Sequence, residues 1–254
     1  MKIYNIYFSH TGGTKKVADM LGSAWREEKQ EIDLSVFGKD YTGYVFEKED
    51  ICIVGVPSFG GRVPEAALNA LGQMKGCGAR AVLAAVYGNR DFDDTLLELK
   101  EALTDAGFRC AAASAAVAEH SVMRQFGAGR PDEKDRAELQ AFSKKIKEKL
   151  DGQAEGKSVS VPGNKPYRSY SGIPLKPKAG KSCTKCGICA AKCPAGAIPK
   201  SNPSEVDKEK CISCMRCISV CPRKARDVNR ILRKAASVKM KKTCSGRKEN
   251  KIYL

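Results

Sequence analysis

The sequence lacks the features of several common protein classes. No apolar run reaches the roughly 18 residues that a membrane-spanning helix needs. The apolar start at residues 1–8 meets Ser9 and His10 too soon for a secretory signal. The only histidines are His10 and His120, and neither belongs to an arrangement of Ser, Cys and carboxylate that indicates a nucleophilic triad. We therefore predict a cytoplasmic protein with no transmembrane span and no catalytic residue of its own.

Acidic residues are scarce in one part of the chain only. The 254 residues include 45 Lys and Arg but 29 Asp and Glu, which gives a net charge of +16. Residues 1–150 contain 21 basic and 22 acidic side chains, whereas residues 151–254 contain 24 basic and 7 acidic ones. An excess of this size suits nucleic acid, an anionic membrane surface or an acidic protein as partner. The charge therefore places the partner surface in the C-terminal part.

A segment rich in proline and glycine divides the chain. Residues 151–179 contain four prolines, four glycines and little apolar material, so they cannot continue a helix. We interpret them as a linker between a domain at residues 1–150 and a second domain at residues 180–254 that ends in a basic tail. Nine of the twelve cysteines lie in the second domain. In a cytoplasmic chain, clustered cysteines favour metal binding over disulfides.

The first domain alternates strand and helix patterns. Apolar runs predict strands at residues 2–8, 31–37, 50–56, 79–87 and 108–118. Helical spacing of apolar residues, with turn-forming residues near the ends, predicts helices at residues 14–29, 64–75, 93–106 and 132–150. Five strands that alternate with helices indicate an α/β domain, in which a parallel sheet is covered on both faces.

Eight cysteines of the second domain form an internal duplication. Two C-x2-C-x2-C-x3-C units, each followed by proline, lie 28 residues apart. This spacing suits two cubane [4Fe–4S] clusters, because three cysteines of a unit wrap one cluster and the fourth ligates the other. The first predicted cluster has the ligands Cys183, Cys186, Cys189 and Cys221. The second predicted cluster has the ligands Cys211, Cys214, Cys217 and Cys193.

Zinc is the alternative metal for these cysteines. Zinc ribbons use two CxxC pairs per metal, but they do not need third and fourth cysteines at these offsets. The pattern therefore favours iron–sulfur clusters. Cys244 lies beyond the pattern in the basic tail, and we predict that it is a spare exposed thiol.

The loop between the first strand and the first helix has the composition of an anion site. Residues 9–14 read Ser-His-Thr-Gly-Gly-Thr, and backbone N–H groups at a helix N-terminus can bind a phosphate together with such hydroxyls. A plain helix cap is the alternative. The loop lacks the G-x-G-x-x-G of dinucleotide-binding turns and the G-x-x-x-x-G-K-[ST] of NTPases, which argues against both of those sites.

The order of these motifs resembles a known family. The pattern [ST]-x-T-G-x-T after the first strand resembles the FMN-phosphate loop of flavodoxins, with Gly13 where many members have Asn. Residues 54–64 and 87–94 resemble the two loops that flank the flavin ring. Residues 180–227 resemble bacterial-type two-cluster ferredoxins. The whole chain resembles the flavodoxin–ferredoxin fusion proteins of anaerobic bacteria and archaea.

The resemblance implies a fold and a set of FMN contacts. The fold is a flavodoxin-like doubly wound five-stranded parallel sheet joined to a small α+β two-cluster ferredoxin domain. The implied phosphate loop consists of Ser9, Thr11, Gly12, Gly13 and Thr14. The implied ring-side contacts are Pro57, Ser58, Phe59, Gly60 and Gly61 in one loop and Tyr87, Gly88, Asn89, Asp91 and Asp93 in the other. For Asp93, capping of the following helix is the alternative.

The implied function is electron transfer between two [4Fe–4S] clusters and FMN, an oxidoreductase role without a dedicated organic substrate. A redox partner with an acidic docking face suits the surplus positive charge. One alternative is a self-contained FMN-dependent reductase of a small molecule such as a quinone or a nitro compound. A nucleic-acid-binding iron–sulfur regulator is less favoured, because the basic region lacks interleaved aromatics and a recognisable reading helix. We therefore expect no nucleic-acid partner. The linker can dock the clusters against FMN or leave them mobile.

Overall fold

The strands of the first domain form one parallel sheet, as predicted. A computed structural model describes residues 1–152 and 157–254. Its first five strands pair in the order β2-β1-β3-β4-β5, which is the order of flavodoxin-like doubly wound folds. The predicted fold class is therefore confirmed. The strands are β1 (Ile3–Tyr7), β2 (Lys29–Asp33), β3 (Ile51–Pro57), β4 (Arg80–Tyr87) and β5 (Arg109–Val117).

Helices cover both faces of this sheet because four of its strands, β1, β3, β4 and β5, are buried on both sides, whereas the edge strand β2 is largely exposed. On one face, Val17 and Ile146 pack in the same core as Ile53. On the other face, Leu99 packs in the same core as Val54. Buried strands with two apolar faces read as continuous apolar runs, and this explains why the sequence showed the strands so clearly. The helices are α1 (Gly13–Leu21), α2 (Glu65–Leu71), α3 (Thr95–Asp105) and α4 (Glu133–Gly152).

The second domain, called the second unit below as the first domain is called the first unit, repeats one backbone motif twice. Its first helices are short, α5 (Ile188–Ala191) and α6 (Arg216–Ser219), and its two-stranded antiparallel sheet pairs β6 (Lys178–Ala179) with β7 (Arg226–Asp227). A longer helix, α7 (Arg230–Cys244), follows. Left-handed residues occur in pairs that lie 28 positions apart, so the duplication of the sequence is also a duplication of conformation. These pairs are Lys185 and Ser213, Gly187 and Met215, and Gly196 and Lys224.

The sheet has a sixth strand that the sequence did not predict. β8 (Lys251–Tyr253) comes from the C-terminal tail and pairs antiparallel with the edge strand β5. The Oδ1 atom of Asn250 accepts the backbone N–H of Val117 at 2.9 Å, and the hydroxyl of Ser114 donates to the carbonyl of Lys251 at 2.9 Å. The prediction of five strands was therefore one short, because three mixed residues carry no periodic pattern of their own.

The predicted linker packs against the first unit over its described part. Its first two residues, Asp151 and Gly152, still belong to α4, so the predicted boundary was two residues early, and residues 153–156 lie outside the described residues. The N–H of Val159 donates to the carbonyl of Cys110 at 2.9 Å. The carboxylate of Asp94 accepts the backbone N–H groups of Asn164 and Arg168 at 2.8 and 2.6 Å. The described part of this segment is therefore docked on the first unit.

The C-terminal tail completes the docking, and it corrects the prediction for Cys244. This thiol is not exposed: Cys244 is 1% exposed, in an apolar cluster that also contains Leu175 and Met215. The side-chain amide of Asn89 donates to the carbonyls of Cys244 and Gly246 at 2.6 and 2.7 Å. Among the described residues, no helix combines the length and the apolar character that crossing a membrane requires.

Candidate cofactor sites

A large cleft opens at the carboxyl ends of the parallel strands, where doubly wound folds bind ligands. Its volume, which like the cavity volumes below includes the open solvent at the mouth, is about 1310 Å³. Its walls come from the loops after β1, β3, β4 and β5 together with parts of the linker and of the second unit. The predicted FMN contacts that line it are Thr11, Gly13, Thr14, Pro57, Ser58, Phe59, Gly60, Tyr87, Gly88 and Asp91. The structure thus brings most of the three predicted loops to one space.

The other predicted FMN contacts lie outside the lining of this cleft and have other partners. The hydroxyl of Ser9 accepts the N–H of Lys15 at 3.0 Å. The carboxylate of Asp93 pairs with Arg90 and, at 3.2 Å, with Arg168. Asn89 holds the C-terminal tail through its side-chain amide. Gly12 and Gly61 supply backbone turns beside the cleft.

The loop after β1 has the geometry of an anion site. Gly12 has a φ of +93° and leads directly into α1, and the N–H of Lys16 donates to its carbonyl at 3.1 Å. Thr14 is buried in the first turn, and the hydroxyl of Ser9 accepts the N–H of Lys15 but no other N–H of this turn. Free N–H groups at a helix N-terminus attract an anion. The loop can therefore hold the phosphate of FMN.

The loop after β3 is a tight turn that contains two glycines. Their backbone conformation favours glycine, and a neighbouring ring leaves no room for a side chain at Gly60. Phe59 and Arg62 exchange two backbone hydrogen bonds at 2.9 and 3.2 Å. Between them Gly60 and Gly61 have φ values of +62° and +92°, as a two-residue turn of type I′ demands. A Cβ atom on Gly60 would lie 2.1 Å from the ring of Tyr170. The aromatic ring of Tyr170 thus lies directly on this turn.

Both histidines line the cleft. His10 is 8% exposed and packs edge-on against Phe59, with ring centroids 5.0 Å apart. Within the described residues, its Nδ1 atom has no hydrogen-bond partner. Burial, together with Arg216 and His120, lowers the pKa of His10 to about 3. Burial also lowers the pKa of His120 to about 4, and its Nδ1 atom accepts two backbone N–H groups at 3.2 Å. A bound polar group can satisfy the free nitrogen of His10.

Several walls of the cleft come from segments to which the sequence assigned no site. Tyr170, Ile173 and Leu175 belong to the predicted linker, and Met240 belongs to α7. Ile212 comes from the second cysteine unit. The sequence did contain a signal for these walls, namely aromatic and apolar residues within a segment rich in proline and glycine. A linker that packs against nothing does not bury such side chains.

Four thiols border a small cavity near the surface of the second unit. This outer cavity has a volume of about 340 Å³ and is lined by Cys183, Cys186, Cys189 and Cys221. The N–H of Ala225 donates to the sulfur of Cys221 at 3.2 Å. Backbone N–H groups directed at sulfur stabilise a thiolate, so this arrangement suits a cluster ligand.

Four further thiols border a second cavity of about 330 Å³, the inner cavity. Its lining includes Cys193, Cys211, Cys214 and Cys217, and the N–H of Ala197 donates to the sulfur of Cys193 at 3.3 Å. Burial raises the pKa of Cys214 and of Cys217 to about 12. These thiols can lose their protons when a cation binds them, as the irons of a cluster do.

The thiol sets fit clusters in their shape. In the described part of the chain, no three His, Cys, Asp or Glu side chains converge as ligands of one ion. Each cavity is instead bordered by four thiols. A cubane has an iron at four corners, and each iron takes one thiolate, so its ligands surround a space. Cys221, the fourth cysteine of the second repeat, borders the cavity of the first repeat, and Cys193 of the first repeat borders the cavity of the second. The spacing of the cysteines predicts this exchange.

The sites form a row from the surface to the cleft. A surface groove of about 580 Å³ shares Cys186 and Ile188 with the outer cavity. Cys189 of the outer set packs in one small apolar cluster with Cys217 of the inner set. The inner cavity shares Ile212 with the cleft. The order is therefore groove, outer cavity, inner cavity and cleft.

Known proteins resemble the two units separately. Residues 182–226 match the 4Fe-4S dicluster domain family. One subunit of the ion-translocating oxidoreductase complex of Methanosarcina acetivorans is 46% identical over 44 residues, which are 17% of this chain and 17% of that protein. The chain thus spans about a sixth of the length of this curated relative.

Solved structures similar to the first unit include a flavodoxin of Streptococcus pneumoniae TIGR4, with 16% identity, a TM-score of 0.41 and coverage of 59% of this chain and 99% of the other. Flavodoxin 2 of Bacillus cereus has 17% identity, a TM-score of 0.43 and the same two coverages. The rubredoxin oxygen:oxidoreductase of Desulfovibrio gigas has 16% identity and a TM-score of 0.43, and the match covers 61% of this chain and 37% of the other. The strand order itself establishes the fold of the first unit.

Proposed function

Because the chain joins a flavodoxin-like fold to a 4Fe-4S dicluster domain, we propose that it passes electrons between two [4Fe–4S] clusters and FMN. In this proposal residues 1–150 hold FMN and residues 180–254 hold the clusters. The observation that carries it is the shared wall at Ile212, which places the inner thiol cavity against the cleft. Bound clusters exchange single electrons, and a bound flavin exchanges one or two. The three cofactors together can therefore couple one-electron transfer to two-electron transfer.

The side chains of the protein supply position and exclude water. The loop that begins at Ser9 and the N-terminus of α1 orient a phosphate. Phe59, Tyr170 and the apolar side chains of the second unit cover the remainder of the cleft. Because the described linker and tail are docked, the distance between inner cavity and cleft is fixed by packing. Fixed proximity is what internal electron transfer needs from a protein.

The cofactor content tests this proposal. Anaerobic purification of the full chain should give about eight iron and eight acid-labile sulfide atoms per chain, as two cubanes require, together with one FMN. Metal analysis, sulfide determination and the flavin absorption spectrum measure these contents. Stoichiometric zinc, or a chain that takes up no flavin after reconstitution, would contradict the proposal.

A second function is favoured by the apolar wall that α7 adds to the cleft. Leu232, Ala236 and Met240 of this helix line the space beside the predicted flavin loops, and apolar walls with a few polar groups are typical of small-molecule sites. A small apolar acceptor such as a quinone or a nitro compound could lie there beside FMN. Turnover of such an acceptor with reduced ferredoxin as the electron source would support this reductase, and inactivity across a broad panel would count against it.

The partner in the proposed function is a redox protein with an acidic docking face, and the surface groove is where it binds. No Asp or Glu occurs at residues 180–202 or 211–226. Ile188 is 41% exposed in the groove and Lys200 lines it. A basic rim around an exposed apolar residue suits an acidic protein that is steered by charge. The exposed basic residues near the outer cysteines are Lys181, Lys185, Lys192, Arg223 and Lys224.

A negative charge in this groove is expected to slow reduction by an acidic protein. With a reduced acidic two-cluster ferredoxin as donor at low ionic strength, Ile188→Glu should lower the second-order rate at least about tenfold, because like charges brought together cost several kcal/mol. Stopped-flow absorbance of the clusters measures this rate. In the unsubstituted protein the same rate should fall as salt is added.

Val238→Glu is the matched control. Val238 is 69% exposed on α7, so the substitution adds the same charge to another basic surface. It should leave the rate with ferredoxin nearly unchanged, and dithionite, a small reductant, should reduce both variants as fast as the unsubstituted protein. Equal slowing by both substitutions would mean that the groove is not the docking site.

A further inference from the structure

The two halves of the cysteine duplication differ at one buried position. Arg226 lies 28 residues after Ile198, so the two residues are counterparts in the repeat. Arg226 is 2% exposed and lines the outer cavity, whereas Ile198 is 4% exposed and lines the inner cavity. The outer site therefore has a buried cation where the inner site has a hydrocarbon side chain.

The Arg226 guanidinium is directed at the outer thiols. Its Nε atom donates to the sulfur of Cys189 at 3.3 Å. Its Nη2 atom donates to the backbone carbonyls of Pro203 and, at 3.2 Å, Glu205. Its Nη1 atom is buried without a hydrogen-bond partner among the described residues. A buried donor without a partner is costly, and a sulfur of a bound cluster would provide the missing acceptor.

No carboxylate neutralises Arg226 within the described part of the chain. Its hydrogen-bond partners there are one thiol sulfur and two backbone carbonyls. The inner cavity also has an arginine in its wall, Arg216, but that guanidinium pairs with Asp33 at 3.7 Å and reaches the carbonyl of Ser35 at 3.3 Å. An arginine keeps its charge when buried. Of the two sites, the outer one thus holds a buried positive charge without a carboxylate partner.

We propose that Arg226 raises the reduction potential of the outer cluster above that of the inner one, so that an electron shared by the two clusters resides mainly at the outer site. This inference rests on the proposed function, because it requires both clusters. Taking up one electron adds one negative charge to a site, with no bond broken and no proton moved. The buried guanidinium stabilises that added charge at the outer site, and Ile198 offers no equivalent at the inner site.

The consequence concerns the handling of electrons at the surface. The outer site adjoins the groove, so Arg226 keeps the shared electron next to the docked partner. Transfer of an electron from the outer to the inner cluster, the first step towards the cleft, is then unfavourable, and transfer from the inner to the outer cluster is favourable. A single residue thereby biases the direction in which the pair of clusters works.

Removal of this charge is the direct test. In the full chain with both clusters, Arg226→Ile should lower the potential of one cluster and shift the equilibrium between the two by about tenfold or more, which for one electron corresponds to about 59 mV. Redox titration followed by electron paramagnetic resonance measures both potentials. Arg226→Gln removes the charge but keeps an amide that can reach the Pro203 carbonyl, and it should give the same shift if Arg226→Ile folds poorly.

Two further variants separate charge from packing. Arg226→Lys keeps the charge and should hold the potential nearer to that of the unsubstituted protein. Ile198→Arg places a cation at the inner site and should raise the potential of the other cluster. Unchanged potentials in Arg226→Gln, or equal shifts in both clusters, would overturn the inference. If the chain holds no iron and sulfide, the proposed function fails instead, so the two failures are distinguishable.

Discussion

Replacing Cys214 by alanine is expected to abolish electron transfer from an external donor to bound FMN. Cys214 is 8% exposed and borders the inner cavity, which lies between the outer cavity and the cleft. Loss of one of four thiolates leaves one iron of a cubane without its ligand. The inner cluster should therefore be lost or converted, and the row of sites is interrupted at its middle. We expect flavin reduction by a ferredoxin donor to fall to background.

The measurement combines rapid kinetics with cofactor analysis. Stopped-flow absorbance follows the flavin, while iron content should fall towards about four per chain, the amount in one cubane. FMN should stay bound, because the phosphate loop and the hairpin at Gly60 do not involve Cys214. The outer cluster should still accept an electron from the donor.

Cys244→Ala is the matched control for this substitution. Cys244 is also buried and also packs beside the cleft, but it belongs to neither thiol set. Its replacement should keep the full iron content and the rate. Two outcomes would contradict our assignment: loss of iron in Cys244→Ala, or an unchanged transfer rate in Cys214→Ala.

The second large effect is expected from Asp135→Ala, which should lower the free energy of unfolding by about 3–5 kcal/mol, as removal of one partner of a buried ion pair does. Asp135 is wholly buried and its two oxygens accept from Arg130 at 2.9 and 2.5 Å. Arg247 and Asn250 of the C-terminal tail each donate to it at 3.0 Å. Without the carboxylate, Arg130 would be left as a buried charge. The melting temperature should fall by roughly 10 °C.

Asp151→Ala provides the comparison on the same helix. Asp151 pairs with Lys147 at 2.6 Å, and its side chain is 60% exposed, so its loss should cost less than about 1 kcal/mol. Thermal unfolding followed by circular dichroism measures both variants. Similar losses for the two would show that the Asp135 cluster does not anchor the tail.

The hydrogen bonds and ion pairs of Asp135 also make the stability of the protein depend on pH. Burial by itself would raise the pKa of Asp135, but hydrogen bonds from Arg130, the N–H of Asp132 and Asn250 hold it below the usual value. A carboxyl whose folded pKa is depressed stabilises the protein above its unfolded pKa of about 3.9, and the contribution is lost as the pH falls through the folded pKa. Acid unfolding should therefore begin at a higher pH in Asp135→Ala than in the unsubstituted protein.

The grouping of the eight thiols around two cavities could be predicted because the spacing of the cysteines is local. Three cysteines at intervals of three residues and a fourth before proline determine where thiols can point, and the structure repeats the same left-handed positions in both units. The parallel sheet was also predictable, since buried strands leave uninterrupted apolar runs. Strand boundaries shifted by a few residues, because the ends depend on neighbours in space.

Several contacts at the cleft come from the linker and the C-terminal tail, whose sequences have no clear helix or strand pattern. Asn89 was predicted beside the flavin, yet its amide holds the tail. Tyr170 was assigned to a linker, yet its ring lies on Gly60. Neither placement could be read from the sequence, because each one arises from chain segments more than 100 residues apart that pack together.

Short spans of the sequence encode the groups on which the proposed function depends: eight thiols in two sets of four, a loop of the phosphate-binding type and an α/β sheet. Tertiary packing set the order in which these parts connect. It placed the inner cavity against the cleft through Ile212 and left Cys186 exposed at the surface. It also added β8 and buried Arg226. Ligand spacing is a local property of the chain, whereas proximity, burial and the charge around a cluster result from long-range packing.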